Sequence, residues 1–360
     1  MQNVIDNISK LLDINYIQPE HMRLIDRQLA RIKITDPVEL AVYLTDTLYA
    51  ITHDSHLFVQ YAPELAEQFK QQQNAETSPA LPPISGFRCV QRLAGNVGYI
   101  ALDSFQGTDQ DAATAAMQLL AGCSALIFDL RNNSGGEVSM VQWLASYLFE
   151  EAQFLHTYEP YEHQIWTHDF VPGIRYPDTP VYILVSQNTY SAAEEFAYDL
   201  QAMKRAIIVG EQTGGGAHLT EIHVAGSGFI ISIPVARVVN PITGTNWQGI
   251  GVQPDIATQD ALKAAHLHAV QDVWDLEWIN ALYNPVLSAQ QSTFTGTYGA
   301  RHITLEDERL HLQYQHSKHE LIPLTDTRFA LGNSMRVEFE ADTMTLIQRN
   351  NKRLRLSRGS

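Results

Sequence analysis

Cysteine is scarce in this chain. Two residues in 360, Cys89 and Cys123, are too few for a disulfide framework, and their apolar settings read as buried free thiols. Positive charge is short as well: 40 acidic residues face 24 basic ones, for a net charge of −16. That balance argues against nucleic acid or an anionic membrane as the main partner. The one basic cluster, Lys352, Arg353, Arg355 and Arg358, alternates with Leu354 and Leu356 and reads as a solvated strand edge. No apolar run reaches the roughly 18 residues that suggest a membrane span. The opening MQNVIDNISKLLDINY has neither the basic start nor the apolar core of a signal peptide. A soluble chain is expected, cytoplasmic as the numbering stands, or exported if a leader was removed before it. Zinc-type spacing is missing too, since His53 and His56 have no third partner. No metal or other cofactor is expected.

What is there divides into four stretches. Residues 1–67 read as a helical domain: Val4, Ile5, Ile8, Leu11 and Leu12 recur at helical spacing, as do Met22, Ile25, Leu29 and Ile32. Asp36-Pro37 predicts a capped helix start before Leu40, Leu44 and Leu48, and Leu57 to Tyr61 reads as extended. Residues 68–86, polar and proline-rich, read as a linker. Residues 87–288 alternate apolar runs (VGYIAL, ALIFDL, PVYILVS, AIIVGE) with helical patterns, which predicts an α/β domain. From 289 to 360, short alternating strands with turn signals predict a small all-β module.

Three features of the sequence carry possible chemistry. In VYILVSQNTYSAAEEFAYDLQ a strand ends at a polar turn and Ser191 opens a helix, where amide groups face any bound anion. Ser191 with Glu194 also fits a helix-capping box, and the Gly-x-Ser-x-Gly elbow is absent, so cap and nucleophile both stand on this segment alone. In ALIFDLRNNSGGEVSM, Gly135 and Gly136 lie between strand and helix, as a plain loop or as N–H donors of an oxyanion hole. In THDSHLFVQY, His56 follows Asp54 and Ser55 where helical periodicity turns extended, and a structural histidine is the simpler reading of that segment by itself.

Taken in order, THDSHLFVQY, DLRNNSGG, TYSAAEEFAY, AIIVGEQTGGGAH and NPITGTNWQGIGVQPDI resemble the S41 family of serine peptidases, in the branch similar to interphotoreceptor retinoid-binding protein. The resemblance covers nearly the whole chain and implies a crotonase-like catalytic domain with Ser191 as nucleophile. It implies an oxyanion hole from the amides of Ala192 and of Gly135 or Gly136. Tail-specific members carry a lysine base in a Thr-x-Gly-Lys turn; here Gly216 stands at that position. The tricorn-like arrangement takes a serine–histidine pair from the preceding segment, which matches Ser55-His56 and makes His56 the general base. The branch's Asn-Trp-Glu-Gly turn is Asn246-Trp247-Gln248-Gly249 here, so Gln248 replaces the acid expected to orient the histidine, with Glu194 or Ser55 sharing that work. His218 is a second candidate base. Tyr190, His218 and Trp247 are expected to line the substrate cleft. The family's PDZ domain has no room between His56 and GNVGYIAL. The resemblance thus implies hydrolysis of short or unfolded peptides through an acyl-enzyme, and homo-oligomers at the family level. The alternative is a weak or inactive member that binds a peptide or an apolar ligand, favoured by Gln248; an esterase with the same serine mechanism is a third reading.

Overall fold

In a computed structural model the described residues are 1–74, 86–286 and 291–359. The N-terminal stretch forms α1 (Gln2–Asn15), α2 (Met22–Leu29) and α3 (Pro37–Thr52), then β1 (Phe58–Tyr61) and α4 (Pro63–Asn74). Asp36 caps α3, its carboxylate accepting the Glu39 N–H at 2.9 Å. Helix α4 occupies the first part of the stretch read as a linker, and residues 75–85 of that stretch lie outside the described residues.

There follow β2 (Phe87–Leu93), β3 (Val97–Leu102), α5 (Gln110–Leu119), β4 (Ala125–Asp129), α6 (Val138–Ser146), β5 (Phe154–Glu159), β6 (His163–Trp166), β7 (Val181–Val185), α7 (Ala192–Ala202), β8 (Ile207–Gly210), β9 (His218–Gly226), β10 (Phe229–Val239) and β11 (Ile256–Ala257). One six-stranded sheet runs β11-β8-β7-β4-β3-β2. Every residue of β3, β4 and β7 is buried, which is why these strands read as unbroken apolar runs. A second sheet, β1-β10-β5-β6 with β9 also on β10, is five-stranded. The helical N-terminus shares a core with later strands. Ile8 and Leu12 of α1, Ile25 of α2 and Leu44 of α3 share one core with Phe229, Ile231 and Ile233 of β10, and β1 pairs with β10 at Val59–Ile231.

By compactness the chain forms two units: 1–91, 99–122 and 127–261 in the first, and 92–98, 123–126 and 262–360 in the second. In the second, α8 (Ala261–Ala269) and α9 (Val273–Tyr283) precede eight strands from β12 (Gly296–Tyr298) to β19 (Arg353–Ser357), each paired with the next. A bridge between Tyr298 and Arg358 brings the last strand back to the first, and the Gly359 N–H reaches the Thr297 carbonyl at 2.8 Å. The all-β module is thus a nearly closed antiparallel meander filled by Tyr298, Phe329, Val337, Phe339 and Met344. Closure replaces the solvated edge expected at the basic cluster, and Arg355 and Arg358 pair with Glu340 and Asp342. Both cysteines are free; Cys123 is buried, but Cys89 is only half-buried.

Candidate active site

Strand β7 delivers the chain to a turn that is tied down on all sides. Thr189 is fully buried, its hydroxyl donating to the Leu130 carbonyl at 2.8 Å. The Tyr190 N–H donates to the Asn133 carbonyl at 3.0 Å. Ser191 follows at φ +53° and ψ −124°, immediately before α7. A non-glycine residue held at positive φ costs roughly 1–3 kcal/mol, and such residues collect at functional sites.

The Asn133–Gly136 loop lies against this turn. A methyl group on Gly135 would come within 2.7 Å of Ser191 Cβ, so only glycine allows the approach. Of the two glycines proposed for an oxyanion hole, Gly135 is already engaged: its N–H donates to Asn133 Oδ1 at 2.8 Å. Among the hydrogen bonds of the described residues, none is donated by the N–H of Gly136 or Ala192. Both residues line a cavity of about 140 Å³ together with Ser191, His218, Trp247 and Glu195.

Helix α3 ends at His53 in a left-handed conformation. The reversal places Asp54 inside, only 1% exposed, and turns the chain toward β1. Asp54 holds two histidines at once. One oxygen accepts the His56 N–H at 2.9 Å and lies 3.5 Å from His56 Nδ1; the other lies 2.5 Å from His218 Nδ1. Burial acts to raise the Asp54 pKa, but the hydrogen bonds from His218 and His56 outweigh it and hold the carboxyl well below the ordinary range. The Tyr190 hydroxyl stands 3.3 Å from His56 Nδ1 and also bonds the Ser55 hydroxyl; burial pushes its pKa up to about 12. His56 Nε2 is buried with no hydrogen-bond partner.

Two expected orienting groups lie elsewhere. The Gln248 side-chain oxygen accepts the Ala217 N–H at 2.7 Å, so it supports a loop while Asp54 is the group beside His56. Glu194 is saturated by the N–H groups of Ser191, Gly215 and Gly216 at 3.0, 2.7 and 2.8 Å and by the Thr213 hydroxyl. It pins the Thr213–Gly216 turn to the start of α7, and burial raises its pKa against those four donors. Trp247, 1% exposed, donates from its ring nitrogen to the Gly216 carbonyl at 2.8 Å. Trp247 and His218 line the cavity, whereas Tyr190 packs beside it, against Gly214 and Gly216.

The N-terminal stretch, residues 1–87, matches the model for the N-terminal domain of peptidase family S41 in eukaryotic IRBP, and residues 96–258 match peptidase family S41 itself. The chain belongs to peptidase family S41. A carboxyl-terminal-processing protease of Synechocystis is 28% identical over 59% of this chain and 50% of its own length. Carboxyl-terminal-processing peptidase 2 of Arabidopsis thaliana is 29% identical over 44% of this chain and 31% of its own. The chain thus spans half or less of the length of these S41 relatives. In fold, a photosystem II D1 C-terminal processing protease superposes at a TM-score of 0.54 with 15% identity, over 75% of this chain and 96% of its own. Mature CPAF superposes at 0.52 with 11% identity, over 78% and 97%. No helix among the described residues is long and apolar enough to cross a membrane.

Sequence reasoning left out Asp54 and Glu195. Asp54 was legible only as a neighbour of His56, because its second partner, His218, is 164 positions away. Glu195 was hidden by its place beside the capping Glu194. On the far side of Glu195 are His156 and Asp199, a buried group whose potential ligand atoms all lie within 4.8 Å of one another. His53 and His56, the histidines weighed for metal in the sequence, are not part of it.

Proposed function

We propose that this protein is a serine peptidase working through an acyl-enzyme, with Ser191 as nucleophile and His56, oriented by Asp54, as general base. The observation that carries the reading is the meeting at one cavity of a serine at positive φ, two N–H groups without acceptors among the described residues, and His218, whose partner Asp54 also holds His56. In the reaction, Ser191 Oγ attacks the scissile carbonyl carbon as His56 Nε2 takes its proton. The N–H groups of Gly136 and Ala192 receive the oxyanion. Collapse expels the amine, which takes the proton from His56, and water then hydrolyses the ester by the same route in reverse. Short or unfolded peptides are the proposed substrates, with the cavity of about 140 Å³ receiving one side chain beside the scissile bond. Asp54 supplies the full negative charge that Gln248 lacks, which favours catalysis over the ligand-binding alternative.

One observation favours a second base. His218 has the shorter contact to Asp54, at 2.5 Å, and lines the cavity with Ser191. Intact mass after exposure to a fluorophosphonate separates the two. Wild type is expected to gain one adduct, Ser191→Ala none, and His56→Ala to label roughly 10²–10⁴-fold more slowly. The same loss in His218→Ala with His56→Ala unaffected transfers the role of base to His218. A folded wild type that gains no adduct removes the peptidase reading.

A further inference from the structure

Glu195 opens onto the same cavity as Ser191, one turn into α7, yet the reaction just described does not use it. It is 4% exposed, and one of its oxygens, Oε1, has no hydrogen-bond partner. The other accepts the Tyr158 hydroxyl at 3.3 Å. Behind it, His156 Nε2 lies 3.6 Å from Oε1, and His156 Nδ1 lies 2.7 Å from Asp199. Asn240 donates to the other Asp199 oxygen at 2.9 Å. Fully ionised, the three groups carry two negative charges and one positive. His156 is shared between Asp199 and Glu195, so the three groups together retain one negative charge. A buried cluster that keeps one net negative charge beside a reaction cavity favours a cation that can reach it.

We propose that Glu195 is the specificity-determining residue of the cleft and that it receives the ammonium or guanidinium of a lysine or arginine adjoining the scissile bond. The inference rests on the reading of Ser191 as nucleophile. The cavity suits such a side chain at both ends. Val138, Val238 and Trp247 supply apolar wall for the aliphatic stem, and Glu195 with the Tyr158 hydroxyl supplies the polar end. The approach is acidic as well. A wider cavity of about 580 Å³ meets the first at His218 and is lined by Glu20, Glu159, Glu162 and Arg237. Arg237 is paired with Glu159, so Glu20 and Glu162 leave the entrance negative. A cation is attracted along that path and an acidic peptide is repelled.

The test measures binding without catalysis, so that it stands apart from the labelling of Ser191. Blocked Ala-Lys-Ala, Ala-Arg-Ala and Ala-norleucine-Ala are titrated calorimetrically into the Ser191→Ala protein. The lysine and arginine peptides are expected to bind at least about tenfold more tightly than the norleucine peptide, the strength of one charge-assisted hydrogen bond. Adding Glu195→Gln is expected to erase that difference. Equal affinities in the Ser191→Ala protein overturn the proposal, as does a difference that survives Glu195→Gln. If the double variant does not fold, carbodiimide coupling of the bound lysine peptide to the Ser191→Ala protein decides. An amide bond mapped to Glu195 supports the assignment, and bonds found only at Glu20 or Glu162 refute it. A reactive Ser191 without cation preference condemns only this inference; cation binding on a chain with an unreactive serine condemns only the peptidase reading.

Discussion

At the scale of the residue, Asp54 organises the site. A carboxylate 1% exposed and shared by two imidazoles leaves neither ring free to rotate. Replacement by asparagine keeps the shape but removes the charge that stabilises a protonated histidine, whichever ring acts as base. Asp54→Asn is expected to slow fluorophosphonate labelling by roughly 10²–10⁴-fold while circular dichroism stays native; labelling within threefold of wild type, about 0.7 kcal/mol in barrier, would falsify the assignment. The sequence put Asp54 next to His56 but gave no sign that it was buried. A short polar turn normally lies in water, and only the left-handed cap at His53 turns this one inward.

At the scale of the element, the turn before β9 bears on the proposed histidine base, because Gly216 stands where tail-specific relatives are expected to carry lysine. A methyl group on Gly216 would lie 2.5 Å from His56 Cε1 and 2.2 Å from Tyr190 Cζ. The space beside position 216 is filled by those two rings, so a side chain there and His56 in its present place exclude each other. Gly216→Ala is therefore expected to displace His56 and Tyr190. Labelling should fall at least about tenfold with a loss of stability near 1–3 kcal/mol, the usual cost of overpacking, measured by urea denaturation beside the labelling rate. Unchanged labelling would show that the rings yield without consequence for the serine. Much at this scale was legible: β3, β4 and β7 are unbroken apolar runs, and the strands of the C-terminal module alternate regularly. Strand β9 was not, because HLTEIHVAG is half polar and its burial comes from packing beside β10. The positive φ of Ser191 was equally hidden, since Ser-x-x-Glu announces a regular cap.

At the scale of the whole molecule, stability is tied to pH through the buried charges near the cleft. Burial, opposed by His156 and reinforced by Asp199, pushes the Glu195 carboxyl from 4.5 up to about 7. Burial alone would lower the His156 value, but the attraction of Glu195 and Asp199 lifts it from 6.5 to about 8. Both groups hold their protons more tightly folded than unfolded. For Glu195 the folded state binds the extra proton between pH 4.5 and 7, so its contribution declines as pH rises through that window. For His156 the contribution is complete below 6.5 and lost through 8. Asp54 runs the other way: its lowered folded value gives stability above the unfolded value near 3.8, lost only as pH falls below it. Between pH 5 and 8, then, Asp54 is constant and the Glu195–His156 pair governs the slope contributed by these groups. The shift at Glu195 corresponds to about 3 kcal/mol over that range, several degrees of melting temperature for a chain this long. Glu195→Gln removes the carboxyl titration and leaves an amide that needs no proton. Its melting temperature is expected to gain on the wild type steadily as pH is raised from 5 to 8, by calorimetry in buffers of matched ionic strength. Parallel curves for the two proteins would mean that Glu195 stays ionised throughout, held by His156 as a permanent ion pair.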